Sequence, residues 1–341
     1  MSESASATGS ADEPLFEAFL NNHDDHAWHR IVQTLLPSVH EVDQTATEIW
    51  FSFYPLALLR ALQQADDPER LARKLSLAGN FLLKNQIDSS HAFLYGHRYW
   101  LQVKAALSEL AASTNAPASL DLATQIREVA GNVASGLNVD ASLLTGIAAV
   151  GFMTLQQVGT AAFKSAPGAV SNPPNKSPEQ ILRERSRDDK QPWLTSLFNP
   201  DKIFSINFDE RDPRATFKLI NTQHLTTAAA NDKRDYLSRD PRCVTGEGPI
   251  PIECRSAACG TCWVGVLAGS EKLSEVAELE WRKIKEFGYI DSEEPRPLIR
   301  LACQAQAYGN VTIVIPPWNG VFGKFLRAQE AHEEQQPSVE I

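Results

Sequence analysis

Three cysteines crowd the segment Cys254-Arg255-Ser256-Ala257-Ala258-Cys259-Gly260-Thr261-Cys262, and a fourth, Cys303, follows in Arg300-Leu301-Ala302-Cys303-Gln304. A C-x4-C-x2-C run with one distant cysteine is the spacing by which four thiolates hold a [2Fe–2S] cluster. The small residues Ser256 to Ala258, with Gly260 and Thr261, let the backbone wrap closely and aim its N–H groups at the sulfurs. The competing chemistry is a structural zinc site. Zinc usually draws its ligands as two close pairs, whereas here three share a loop and one stands alone, which favours two irons bridged by sulfides. Free cysteines are the third reading. Cys243 is left over and reads as a packed spectator rather than a ligand.

Four cysteine ligands leave no open coordination position, so the chemistry expected is the transfer of single electrons. The sequence contains no G-x-G-x-x-G after a strand, no Walker loop and no second cysteine cluster, and Gly246-Glu247-Gly248 is too short to count. Nicotinamide or flavin chemistry would have to come from another polypeptide.

Residues from about Lys202 to Pro317 resemble the plant-type [2Fe–2S] ferredoxin domain. The marks are Ile250-Pro251-Ile252-Glu253-Cys254, the Cys259-Gly260-Thr261-Cys262 core, and Arg300-Leu301-Ala302-Cys303. The resemblance implies a β-grasp fold, a metal site of Cys254, Cys259, Cys262 and Cys303, and a low potential near ~-400 mV. Three departures stand out, the first being an extended approach to Cys254 that bears on partner choice. Ala257 occupies a place where the family usually has Gly, so the loop is expected to avoid a backbone conformation that only Gly adopts cheaply. The interval from Cys262 to Cys303 is also longer than in photosynthetic ferredoxins.

At 341 residues the chain can bury two cores. A net charge of -10 argues against nucleic acid and against an anionic membrane surface. It is compatible with docking on a basic redox partner. An odd number of cysteines suits a reducing compartment, and Met1 to Pro14 carries no basic start or apolar run, so a cytoplasmic location is expected.

The elements that must carry the cysteines are expected as an α+β arrangement: an all-α helical bundle, then a β-grasp domain. The boundaries are 1–13 disordered, 14–163 helical, 164–200 linker and short helix, 201–327 ferredoxin-like, and 328–341 an acidic tail. Asp67-Pro68-Glu69 starts a helix, with Leu71, Leu75, Ala78 and Leu82 on one face. Trp50 to Tyr54 forms the bundle's centre and Pro55 interrupts it. A helix runs from about Gly96 to Leu110. Residues 141–163 lack charge and could cross a bilayer by length. Gln156, Gln157 and the Gly and Thr content favour a buried helical hairpin, with Gly146, Val150 and Thr154 allowing close approach.

Pro167, Pro173 and Pro174 mark a linker. Ser177-Pro178-Glu179-Gln180 restarts a helix, to about Asp189, through a capping box. Phe204, Ile206 and Phe208 alternate as one strand, and Ala215, Phe217 and Leu219 as its hairpin partner across Asp212-Pro213. Further expectations are a helix over Thr226 to Leu237, a strand over Trp263 to Leu267, and a helix capped by Ser274. That helix carries Val276, Leu279, Ile284 and Phe287 and ends at Gly288. A last hairpin turns at Gly309-Asn310 into Val311 to Ile315.

The helical part holds six of the eight histidines. His23, Asp24 and His26 could ligate a metal or haem, but Asp24 and Asp25 read better as helix caps. The histidines, His91 and His97 beside Tyr95 among them, read as surface or edge residues. Three functions are weighed. The first is a one-electron carrier whose helical domain docks it to a specific redox partner. The second is an iron- or haem-dependent helical enzyme with a built-in ferredoxin domain. The third is a redox-sensing adaptor.

Overall fold

Capping chemistry sets where the helices begin. The structure, a computed structural model, describes residues 15–112, 121–171, 175–186, 202–287, 294–322 and 325. The expected disordered start, Pro173, Pro174, the helix end at Gly288 and the acidic tail lie outside the described residues. Helix α1 spans Leu15–Asn21, α2 Asp25–Leu35, α3 Glu41–Phe53, α4 Leu56–Gln64 and α5 Pro68–Lys74. The Asp24 carboxylate accepts from Ala27 N at 2.7 Å and caps α2. Asp25 reaches further: it accepts from Leu56 N and Ala57 N at 2.7 and 2.6 Å, capping α4 just after Pro55 has ended α3.

Helices α6 (Trp100–Ala112), α7 (Leu122–Leu137) and α8 (Ser142–Ser165) complete the bundle. The uncharged stretch makes up most of α8, whose last turn adds Lys164, and the helix forms a hairpin with α7 and also packs against α1, α3 and α6. By length and composition it could cross a membrane, yet 78% of its apolar window is buried inside this fold. Close approach comes from glycine. A methyl group at Gly146 or Gly151 would lie 2.5 Å from Thr47 Oγ1 or from Leu107. The aromatic run lies at the centre as expected, with Trp50, Phe53 and Tyr54 buried.

Beyond Lys74 the helical face expected through Ala78 and Leu82 does not form. Ser76 turns left-handed at φ +51°, and Ala78–Gly79 instead becomes β1, paired antiparallel with β7 (Trp318–Asn319). After α9 (Pro178–Arg185), whose capping box is formed by Ser177 and Gln180, the sheet begins. Strands β2 (Ile203–Asn207) and β3 (Thr216–Ile220) make the expected hairpin with Ile206 opposite Phe217. Strand β4 is Trp263–Ala268, β5 Ile299–Leu301 and β6 Val311–Val314, in the order β3-β2-β6-β4-β5.

The expected last hairpin is absent among the described residues. Strand β6 slots between β2, to which it is parallel, and β4, because Asn310 Oδ1 takes Ser205 N at 2.8 Å and seats the strand there. The helix expected over residues 226–237 is short, α10 at Leu225–Ala229. Beyond it, Lys233 binds the Ala230 and Gly246 carbonyls, and Arg234 binds those of Arg214 and Thr216. These bonds take the chain out of the helical path. Ser274 caps nothing: its hydroxyl accepts from Gln306 N, and α11 starts later, at Glu278–Phe287.

One hydrophobic core runs from Phe16 to Phe322 through both parts. The joint is α3 on β4. Ile49 and Phe53 fill the space left by Gly265, Phe53 meets Trp263 edge-on at 5.1 Å, and Trp318 Nε1 donates to Phe53 O at 2.7 Å. At the other side Arg185 forks onto Glu210 with both bonds at 2.8 Å and also reaches Val42 O at 2.7 Å.

Candidate metal centre

Sheet register decides how the fourth cysteine meets the other three. Trp263 stands opposite Leu301 in the β4–β5 ladder, and Ala302 N donates to Cys262 O at 2.9 Å. Cys262 therefore stands just before β4 and Cys303 just after β5, which brings the two thiols near enough to perturb each other. Cys254 and Cys259 form a second thiol pair within the loop. Cys262 and Cys303 are buried, whereas Cys254 and Cys259 are half-exposed. Among the described residues no three His, Cys, Asp or Glu side chains are placed to share one metal ion. Two pairs of thiolates suit two irons better than one tetrahedral zinc.

The loop backbone turns its donors inward. Ser256 N and Ala258 N lie 3.4 and 3.3 Å from Cys254 Sγ, and Ala257 N serves Cys303. To do this Arg255, Ala257 and Gly260 all take positive φ, at +56°, +60° and +71°. The expectation that Ala257 would avoid the glycine-like conformation is thus wrong. A left-handed alanine costs roughly 1–2 kcal/mol, and here the strained turn is what directs its N–H at the Cys303 sulfur.

The thiols respond to these donors. Burial works against the Cys254 thiolate, but bonds from Ser256, Cys259 and Ala258 outweigh it and bring the group down to about 7. Burial holds Cys259 up, despite bonds from Thr261. In the buried pair Cys262 keeps the proton and donates it, so Cys262 is raised and Cys303 lowered to about 6. Cys243 stands apart. Its thiol bonds Pro249 O at 3.5 Å, and burial pushes it up to about 11.

Strand β5, which delivers Cys303, is held by groups the sequence reading did not connect. Arg300 pairs with Glu280 of α11, Glu280 Oε1 also takes Leu301 N at 2.9 Å, and Arg300 Nη1 donates to Ser274 O at 2.7 Å. A signal was present: Glu280 falls between Val276 and Ile284 at four-residue spacing, a carboxylate inside an expected apolar stripe. On the loop's outer side a hollow of about 900 Å³ opens beside Cys259, walled by Leu75, Ser76 and Ala78 from the helical part and by Val244, Ile252 and Thr261.

Among the described residues His23, His91 and His97 are taken up by other partners. His23 Nδ1 bonds Phe19 O at 3.1 Å, and Asp24 is spent on its cap. His91 and His97 are not surface or edge residues but buried, with their Nδ1 atoms 2.9 Å apart. Their tautomers follow from their partners. Ile87 O can only accept, so His91 Nε2 carries the proton and His91 Nδ1 accepts from His97 Nδ1–H. His97 Nε2 then accepts from Ser171 N, 3.1 Å away. Through His97 the pair ties Ser171 to the bundle, while Lys104 and Asp88 hold Ala166, Gly168 and Ala169.

Residues 227–308 match the family described as 2Fe-2S iron-sulfur cluster binding domain. No solved structure matches the chain. The chain is therefore a mixed helix-and-sheet protein whose C-terminal part is a [2Fe–2S] domain, preceded by many helices, and its cofactor is a [2Fe–2S] cluster. A domain of this family points to an iron–sulfur electron carrier.

Proposed function

We propose that the chain is a ferredoxin-type one-electron carrier in which Cys254 and Cys259 hold one iron and Cys262 and Cys303 the other. The observation that carries this reading is the meeting of the Cys262 and Cys303 segments at the end of the β4–β5 ladder, beside a loop whose Ser256 and Ala258 N–H groups are directed at the Cys254 sulfur. When bound, the cluster supplies reversible storage of a single electron. The chain's own work is to neutralise sulfur charge through those N–H groups and to exclude water from Cys262 and Cys303. The strand order β3-β2-β6-β4-β5 beside α10 supports a β-grasp assignment for this part.

The helical part serves, on this reading, to dock the carrier on a specific redox partner. The α3–β4 joint supports it by packing the helices directly on the sheet, and so does the shared hollow beside half-exposed Cys259. The full-length chain, purified without oxygen, tests the ligand set. Cys254→Ser, Cys259→Ser, Cys262→Ser and Cys303→Ser should each lose visible absorbance and the paramagnetic signal produced by dithionite, while Cys243→Ser keeps both. Full signal in any of the first four, or its loss in the last, rejects the set.

A further inference from the structure

We propose that Gln304 raises the reduction potential of the cluster by donating a side-chain N–H to the Cys303 sulfur, an inference that rests on the ligand set above. Gln304 Nε2 lies 3.4 Å from Cys303 Sγ and 3.1 Å from Cys303 O. A carbonyl oxygen can only accept, so the nitrogen end of the amide must face it, and the same nitrogen is then presented to sulfur. The residue's backbone is held by Gln304 N donating to Leu301 O at 2.8 Å, and its side chain is half-buried. The backbone donors on the sulfurs come with the loop's shape. Gln304 is a neutral side-chain donor placed on the buried thiol pair, where water has little access to replace it.

Hydrogen bonds to ligand sulfur favour the reduced cluster, because the sulfurs carry more negative charge once the electron is added. Burial strengthens the effect. Gln304 is not one of the four proposed ligands but donates to one of them, so it acts on the potential and not on ligation.

The test is potentiometric titration of the full-length, cluster-loaded chain, followed by its paramagnetic signal. Gln304→Met keeps the side chain's length and removes its donors. The equilibrium constant for reduction should fall by about three- to tenfold, tenfold being ~59 mV for a one-electron couple. Gln304→Glu keeps the shape, replaces the donor by an anionic acceptor, and should fall further. Gln306→Met, two residues along, should leave the midpoint in place. Unchanged midpoints in both Gln304 variants at full cluster signal overturn the proposal, as does an equal shift in Gln306→Met. Absence of any cluster signal in the unsubstituted chain overturns the ligand set beneath it instead.

Discussion

Glu280 and Arg300 face each other in a two-pronged ion pair, at 2.8 and 2.9 Å, with neither residue more than 1% exposed. The pair links α11 to the strand that brings Cys303 to its site. Removing one partner leaves the other charge buried and uncompensated, which typically costs about 3–5 kcal/mol. Arg300→Met should therefore lower unfolding free energy by that order and reduce cluster retention. The double variant Glu280→Leu/Arg300→Met should recover most of the loss, since two apolar groups of similar volume leave no stranded charge. Denaturant unfolding of the three proteins decides it, and a single-variant loss below about 1 kcal/mol would show the clamp to be unimportant.

At Ala257 the backbone is left-handed while the methyl group is buried at 2% exposure. Gly adopts this conformation without the steric cost, and a β-branched residue is a severe outlier there. Ala257→Gly should keep full iron content, with stability changed by no more than about 1 kcal/mol. Ala257→Val should lose the cluster, because the N–H aimed at Cys303 can no longer be presented. Iron and sulfide analysis on both variants checks this. Equal loading of the Val variant would mean that the loop reaches its geometry another way.

His91 and His97 should make the fold acid-sensitive. Burial depresses both, with His97 charge repulsion adding to His91 and the nearby Arg211 adding to His97, which falls to about 4. A histidine depressed on folding contributes stability that is complete above its unfolded value near 6.5 and is lost as pH falls toward the folded value. Stability should thus decline between pH 6.5 and about 4, with protons taken up on unfolding. A His91→Gln/His97→Gln variant should be less stable at pH 7.5 but show a smaller drop in Tm between pH 7.5 and 5. An identical drop in the two proteins would assign the acid sensitivity elsewhere.

Some features of this protein are written in short stretches of sequence because short-range chemistry controls them. Asp24, Asp67-Pro68 and Ser177-Pro178-Glu179-Gln180 start helices at the places their side chains can cap. The alternation through Phe204 to Phe208 and Ala215 to Leu219 makes a hairpin, since a pleat needs only its own residues to define two faces. The cysteine spacing points to the cluster, because three of the four proposed ligands share one loop. The absence of charge over residues 141–163 was legible too, but not the surroundings of α8. Whether that helix lies in lipid or protein depends on Thr47 and Leu107, which approach its glycines from other helices.

Other features depend on residues far apart in the chain, and only the tertiary structure decided them. Which thiol pairs with which follows from the register of Trp263 against Leu301. The inward burial of Glu280 follows from Arg300 waiting twenty positions later. Ala257 turns left-handed in a loop whose Ala257 N–H lowers the Cys303 thiol of another segment. Local pattern states what a segment prefers when its partners are neighbours. Where the compensating group arrives from another strand, the preference can be overridden, and its cost is offset across space.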